Sequence, residues 1–244
     1  MSFLLDIVLI GVLALIVVMY GKRSIFSALC GLLSVALAAV GAVLLTGTVA
    51  APLADYVVAP LVEQSAANEL ADMFSAPHLS GGRETVAALP LGELVESQPE
   101  AYKQLLAHYS VQPEAVVAAY EQSPTSETVL VALTADYAAA ISRAAVLVIL
   151  TVAFALLLRL IARQIEQNFP PARRYRRFKK ALPALLGVGA GLVWSWVIAT
   201  VIHWVVPVVA GQVLFLNPEV LYATDWYRLL WWTNPLLPLF ALLG

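Results

Sequence analysis

The sequence predicts an all-α integral membrane protein: four transmembrane helices, an extracytoplasmic helical insert between the second and third, and a C-terminal interfacial helix. Three observations lead there. Apolar residues make up 61% of the 244 and charged residues 12%, whereas soluble domains run at about 45–50% and about 25%. The apolar residues fall in blocks near the ~20 residues that cross a bilayer. The charges are sorted along the chain: residues 169–180 hold six of the fourteen cations, and the stretch from Thr46 to Arg143 holds twelve of the sixteen carboxylates. Lys and Arg beside a span stay in the cytoplasm far more often than they are exported, so these cations orient every other segment.

Residues 1–45 carry the first two spans. Phe3 to Tyr20 is apolar apart from Asp6. Its positive charge follows the apolar run, at Lys22 and Arg23, where a secretory signal would carry it in front; the run reads as a span with its N-terminus outside. Asp6 then lies near the outer surface, as a hydrated carboxylate at the headgroups rather than a buried proton relay. Gly21-Lys22-Arg23-Ser24 is a tight inner turn. Ile25 to Leu45 runs outward with Ala28, Gly31, Ser34, Ala38 and Gly41 at spacings that let another helix approach closely.

Residues 46–140 form the acidic insert, in which only Arg83 and Lys103 are basic, with Arg143 just beyond it. Ser97-Gln-Pro-Glu100, Ser110-Val-Gln-Pro-Glu114 and Ser123-Pro-Thr-Ser-Glu127 each place a capping serine before a first turn with Pro or Glu. They predict a small helical cap outside the membrane, and from the third start a helical pattern continues through Leu130, Leu133 and Tyr137 into the next span.

Residues 141–210 return the chain inward and out again. The third span, Ala144 to Leu158, is extended by Ile161 and Ile165, while Arg159 and Arg163 reach for the inner surface. Pro170-Pro171 stops the helix. The basic loop 163–180 carries Arg173, Arg174, Arg176, Arg177, Lys179 and Lys180, and with Lys22 and Arg23 these cations predict contact with anionic inner-leaflet lipid. Tyr175 and Phe178 interleave them, but the loop is too short for a nucleic-acid surface, and no nucleic-acid partner is expected. The fourth span, Leu182 to Val209, contains Gly187 and Gly191 as a G-x-x-x-G pair. Gly187, Gly191 and Gly31 are the candidate helix-packing residues, and a homo-oligomer is expected through such faces. Residues 211–244 begin a helix at Asn217-Pro218-Glu219 that carries Trp226, Tyr227, Trp231 and Trp232. Such aromatics favour the headgroup level and predict an amphipathic helix on the outer face, ended by Thr233-Asn234-Pro235.

No catalytic, cofactor-binding or metal-binding residue is predicted. Phosphate-loop, H-E-x-x-H and C-x-x-C patterns are missing, Cys30 is the single cysteine, and His78, His108 and His203 are scattered. His203, near the outer end of the fourth span, reads as an interfacial residue. These features argue against an enzyme. A small channel or transporter subunit is one alternative, with Asp6, Ser34, Ser195 and His203 as its only modest lining; an extracellular binding module on a membrane anchor is another.

Three stretches bracket the chain with a further likeness: Tyr20-Gly-Lys-Arg-Ser-Ile-Phe26, Leu182-Pro-Ala-Leu-Leu-Gly-Val-Gly-Ala-Gly-Leu192 and Leu229-Leu-Trp-Trp-Thr-Asn-Pro-Leu236. Together they resemble the colicin V production protein (CvpA) family of bacterial inner-membrane proteins, with a basic turn after the first span, a Gly-rich entry to the last and an Asn-Pro ending. Ser24 stands where the family's turn usually has Gly, and the insert is much longer than in the shortest members. The resemblance implies a multi-pass protein of the bacterial cytoplasmic membrane, with a role in envelope homeostasis or peptide-toxin (bacteriocin) production and export. It brings no agreed catalytic residues. The partners expected are the lipid bilayer, further copies of the chain and an envelope or secretion protein. Both termini are expected outside.

Overall fold

The structure, a computed structural model, describes residues 2–73, 126–168, 181–209 and 218–241. The predicted helix starts at Ser97, Ser110 and Ser123, the histidines His78 and His108, and the six cations from Arg173 to Lys180 lie outside the described residues. Within the described residues all regular structure is helical: α1 (Ser2–Gly21), α2 (Ile25–Leu53), a π-helical turn (Ala54–Val58), α3 (Ala59–Met73), α4 (Ser126–Asn168), α5 (Ala181–Val209), α6 (Pro218–Tyr222), α7 (Asp225–Trp232) and α8 (Leu237–Ala241). Three helical stretches, Ile25–Ala66, Thr134–Ile165 and Ala181–Pro207, are long and apolar enough to cross a membrane; α1 adds a shorter apolar stretch, Asp6–Gly21.

Several elements run further than their apolar cores suggest. The second apolar run continues past Leu45 to Leu53, then widens into the π turn between Pro52 and Pro60. Each proline lacks the N–H that a regular helix needs there. The third run is part of one 43-residue helix, about 65 Å long at 1.5 Å per residue and twice the ~30 Å hydrocarbon thickness. At the C-terminus the sequence suggests a single helix from Asn217 through Trp232, but the chain breaks between α6 and α7. Thr224 turns extended there (φ −87°, ψ 113°), while its hydroxyl donates back to the Val220 carbonyl at 2.8 Å.

The chain divides into two compact units, one of residues 1–49, 144–203 and 219–244, the other of residues 50–143 and 204–218. In the first, α5 is the hub. Ala190, Ser195, Val197, Ala199 and Thr200 along it are buried. A methyl group added at Gly187 would lie 2.7 Å from Tyr20 Cβ and 3.1 Å from Val17 Cα, so α1 lies directly against the α5 backbone there. Gly191 faces Leu13 with more room, at 3.4 Å, and Gly189 receives Leu32 of α2. Gly31 of α2 sits under the Tyr20 ring and the Arg23 guanidinium, and Gly41 meets the Phe154 ring of α4. Helices embedded in lipid gain little from apolar burial against each other, so close backbone approach and dispersion hold them. These glycines therefore take their neighbours from within the chain.

The opposite faces of the same helices are apolar and uncovered. Val8, Leu15 and Val18 of α1, Leu33 and Leu37 of α2, and Ile149, Leu156 and Leu160 of α4 are all exposed. Contiguous exposed apolar surface on this scale marks contact with lipid or another apolar partner.

Candidate functional site

The first unit has two chemically distinct ends. At one end, α1 and α2 meet in the turn Gly21-Lys22-Arg23-Ser24. Arg23 N–H donates to the Tyr20 carbonyl at 2.8 Å, and the Ser24 hydroxyl caps α2 by accepting the Ser27 N–H at 3.1 Å. Lys22 points into solvent, whereas Arg23 folds back with its guanidinium 4.4 Å from the centre of the Tyr20 ring, a cation–π geometry.

Beside this turn lie two adjoining cavities, about 210 Å³ and about 550 Å³, which share Arg23, Gly31, Ser34, Leu156 and Arg159 in their walls. Arg163, one turn beyond Arg159 on α4, joins the larger one with Ser27 and Cys30. The Ser34 hydroxyl is turned away, donating to the Cys30 carbonyl at 2.7 Å. The residues lining both cavities are cationic, hydroxylic or apolar. This end thus presents three guanidinium groups, one from the turn and two from α4, around an open volume, with apolar side chains leading away from them.

The other end is closed by the C-terminal segment. Thr224 gives its hydroxyl to the preceding turn and leaves the first amides of α7 without a local cap. Asp6 of α1 supplies one from 220 residues away, its carboxylate accepting the Trp226 N–H at 3.1 Å. A carboxylate at a helix N-terminus is favoured by both the free N–H groups and the helix dipole. Asp6, which the sequence suggests as a headgroup carboxylate, is a long-range helix cap.

His203 of α5 stacks on Trp231 with ring centroids 3.8 Å apart, and its Nδ1 lies 3.2 Å from the Tyr227 hydroxyl. Burial, and secondarily the neighbouring Tyr222, pushes the Tyr227 phenol above its usual range, which keeps the hydroxyl hydrogen available to Nδ1. Asn234 forms the tightest junction. Its side-chain NH2 donates to the Thr200 hydroxyl at 2.9 Å and to the Trp196 carbonyl at 3.3 Å, while its oxygen accepts the Leu236 N–H at 3.0 Å. The Thr200 hydroxyl donates to the same Trp196 carbonyl at 2.9 Å, and the Trp196 indole N–H reaches the Thr233 hydroxyl at 3.4 Å.

Of the four aromatics grouped by sequence as interfacial, Tyr227 is fully buried, Trp226 and Trp231 are half-buried and Trp232 is 82% exposed. The residues proposed as a pathway lining do not gather: Asp6 caps α7, Ser195 donates to the Gly191 carbonyl at 2.8 Å, His203 joins Tyr227, and Ser34 alone touches a cavity. Sequence reasoning missed the Asn234 clamp, although the Asn-Pro pair was visible, because what an Asn bonds to depends on which helix packs beside it. It also treated Arg159 and Arg163 only as snorkelling cations. Their spacing of four residues was the available sign that they share a face.

No protein-family model, curated protein or solved structure matches the chain.

Proposed function

We propose that the chain is a four-span protein of the bacterial cytoplasmic membrane with both termini outside, serving as a non-enzymatic component of envelope homeostasis or of peptide-toxin production and export. The single observation that supports the orientation is the segregation of charge along the first unit. Arg23, Arg159 and Arg163 gather at the turn end, while Asp6 and the aromatic helix α7 occupy the other. Cations retained on the cytoplasmic side and aromatics at the opposite headgroups give this polarity. On this reading α1 is the fourth span: its 20 residues give about 30 Å of helix, and its outward face is apolar.

The way the polar side chains are spent supports a non-enzymatic role. Asp6, Ser195, Thr200, His203 and Asn234 each hold one helix to another or to its own backbone, as in a scaffold, and the motifs resembling CvpA supply the envelope or export context. The channel alternative gains nothing from the dispersed positions of its proposed lining. The orientation is tested by fusing alkaline phosphatase or a fluorescent protein after Pro171. A fluorescent, phosphatase-inactive pair is expected, and phosphatase activity there would overturn the proposal. Deletion in a bacterial host should sensitise the envelope to detergents or reduce secretion of a peptide toxin; unchanged resistance and unchanged secretion would remove the role while leaving the topology standing.

A further inference from the structure

We propose that the cavities at the turn end form a binding site for one anionic phospholipid, with its phosphodiester among Arg23, Arg159 and Arg163 and its acyl chains along α4. The inference deepens the orientation proposed above, because it rests on the turn end facing the inner leaflet for its supply of anionic lipid.

Three features lead to this ligand. The first is concentrated positive charge. Three arginines line a common volume, and like charges at the edge of a low-dielectric bundle repel one another. A bound anion relieves that repulsion. Guanidinium groups are also suited to it, since they stay charged and offer planar pairs of donors matched to phosphate oxygens. The second is shape. The larger cavity, about 550 Å³, has the volume of on the order of 15–20 waters, more than a glycerophosphate diester needs. The third is polarity along the site. Leu160 lies between Arg159 and Arg163, and Leu156 and Val152 follow them toward the middle of α4; these three line the cavities and are 62%, 57% and 40% exposed. A charged mouth continuing into an uncovered apolar lane fits a molecule with a phosphate at one end and hydrocarbon at the other. A free phosphate would use only the mouth.

Gly31 contributes by omission. A methyl group there would lie 2.8 Å from the Tyr20 hydroxyl and 3.1 Å from Arg23 Nη1, so a larger residue would press on both side chains.

The test uses the full chain in nanodiscs containing either phosphatidylglycerol or phosphatidylcholine, released for native mass spectrometry, which reads retained lipid directly and does not depend on orientation in a cell. One retained phosphatidylglycerol, at least tenfold preferred over phosphatidylcholine, is expected for the natural sequence and for Arg228→Gln, a cation outside the cavities. The preference should be lost in the triple variant Arg23→Gln, Arg159→Gln, Arg163→Gln. Equal retention of both lipids, or full retention by the triple variant, would overturn the proposal. So would loss of retention only when the six cations of residues 169–180 are neutralised with the cavity arginines intact. Soluble glycerol phosphate competing as well as the diacyl lipid would transfer the site to a free phosphate ester and defeat the lipid assignment. A second readout needs no variant. Cys30, the chain's single cysteine and part of the cavity wall, should react with a maleimide several-fold more slowly in phosphatidylglycerol than in phosphatidylcholine discs, and equal rates would contradict an occupied site.

Discussion

The turn end and the C-terminal end of the first unit are built on opposite rules. At the C-terminal end each polar group that leaves water has a protein partner. Asp6 finds an amide, His203 a phenol, and Asn234 uses both its amide hydrogens and its oxygen. At the turn end three guanidinium groups gather around one open volume. A buried polar network stabilises only when its members are satisfied, so the first end is a finished junction. Cations grouped at the edge of a cavity are placed to take an anion from outside, and on the proposal above a lipid phosphate completes the second end.

Substitutions at the two ends should therefore behave differently. The largest loss is expected from Asn234→Ala, which removes the amide that joins the C-terminal segment to α5 and leaves buried groups unpaired. About 2–3 kcal/mol of stability should disappear, read as a lower melting temperature of the full chain in detergent; an unchanged melt would mean that the junction is not closed by this network. Gly187→Ala comes next, at about 1–3 kcal/mol, because its methyl group meets the α1 backbone. Gly191→Ala, with 3.4 Å to Leu13, should cost under about 0.5 kcal/mol, the ordinary range for a substitution that breaks nothing. Equal effects at both positions would remove the claim that α1 is pinned at Gly187. Asp6→Asn should cost about 0.5–1 kcal/mol, since a neutral amide still accepts the Trp226 N–H but loses its attraction to the helix dipole. Arg159→Gln should have the smallest effect on a melt in uncharged detergent, near zero or slightly stabilising, because it relieves repulsion among the grouped guanidinium groups. A loss as large as that of Asn234→Ala would show that the turn end too is a finished junction.

The helical class and the apolar blocks were legible because hydropathy and helix periodicity act locally along the chain. Residues that pack by lacking a side chain, Gly31, Gly187 and Gly191, could be singled out by spacing, but not their partners, since spacing carries no information about which helix arrives. The same gap hid the long-range bonds. Asp6 and Trp226 are 220 residues apart, and nothing local in either sequence marks the other. The break at Thr224 was hidden differently: a threonine hydroxyl can cap the helix that follows or bond back to the one before, and only the packed structure selects. The extra length of α2 was missed because its span was ended where hydropathy fell, whereas the backbone hydrogen bonds continue; the length of α4 was legible, because the helical pattern through Leu130, Leu133 and Tyr137 runs on into the third span.

All of the orientation, and the supply of lipid to the cavity, depends on which side of the membrane holds the turn. Single cysteines at Lys22→Cys and Trp232→Cys, each in a Cys30→Ser background, can be exposed in intact cells to a maleimide that does not cross the inner membrane. Lys22 and Trp232 are both exposed side chains at opposite ends of the unit. Labelling at position 232 in intact cells, with position 22 reacting only after permeabilisation, is the predicted result; labelling at position 22 with protection at 232 would contradict it.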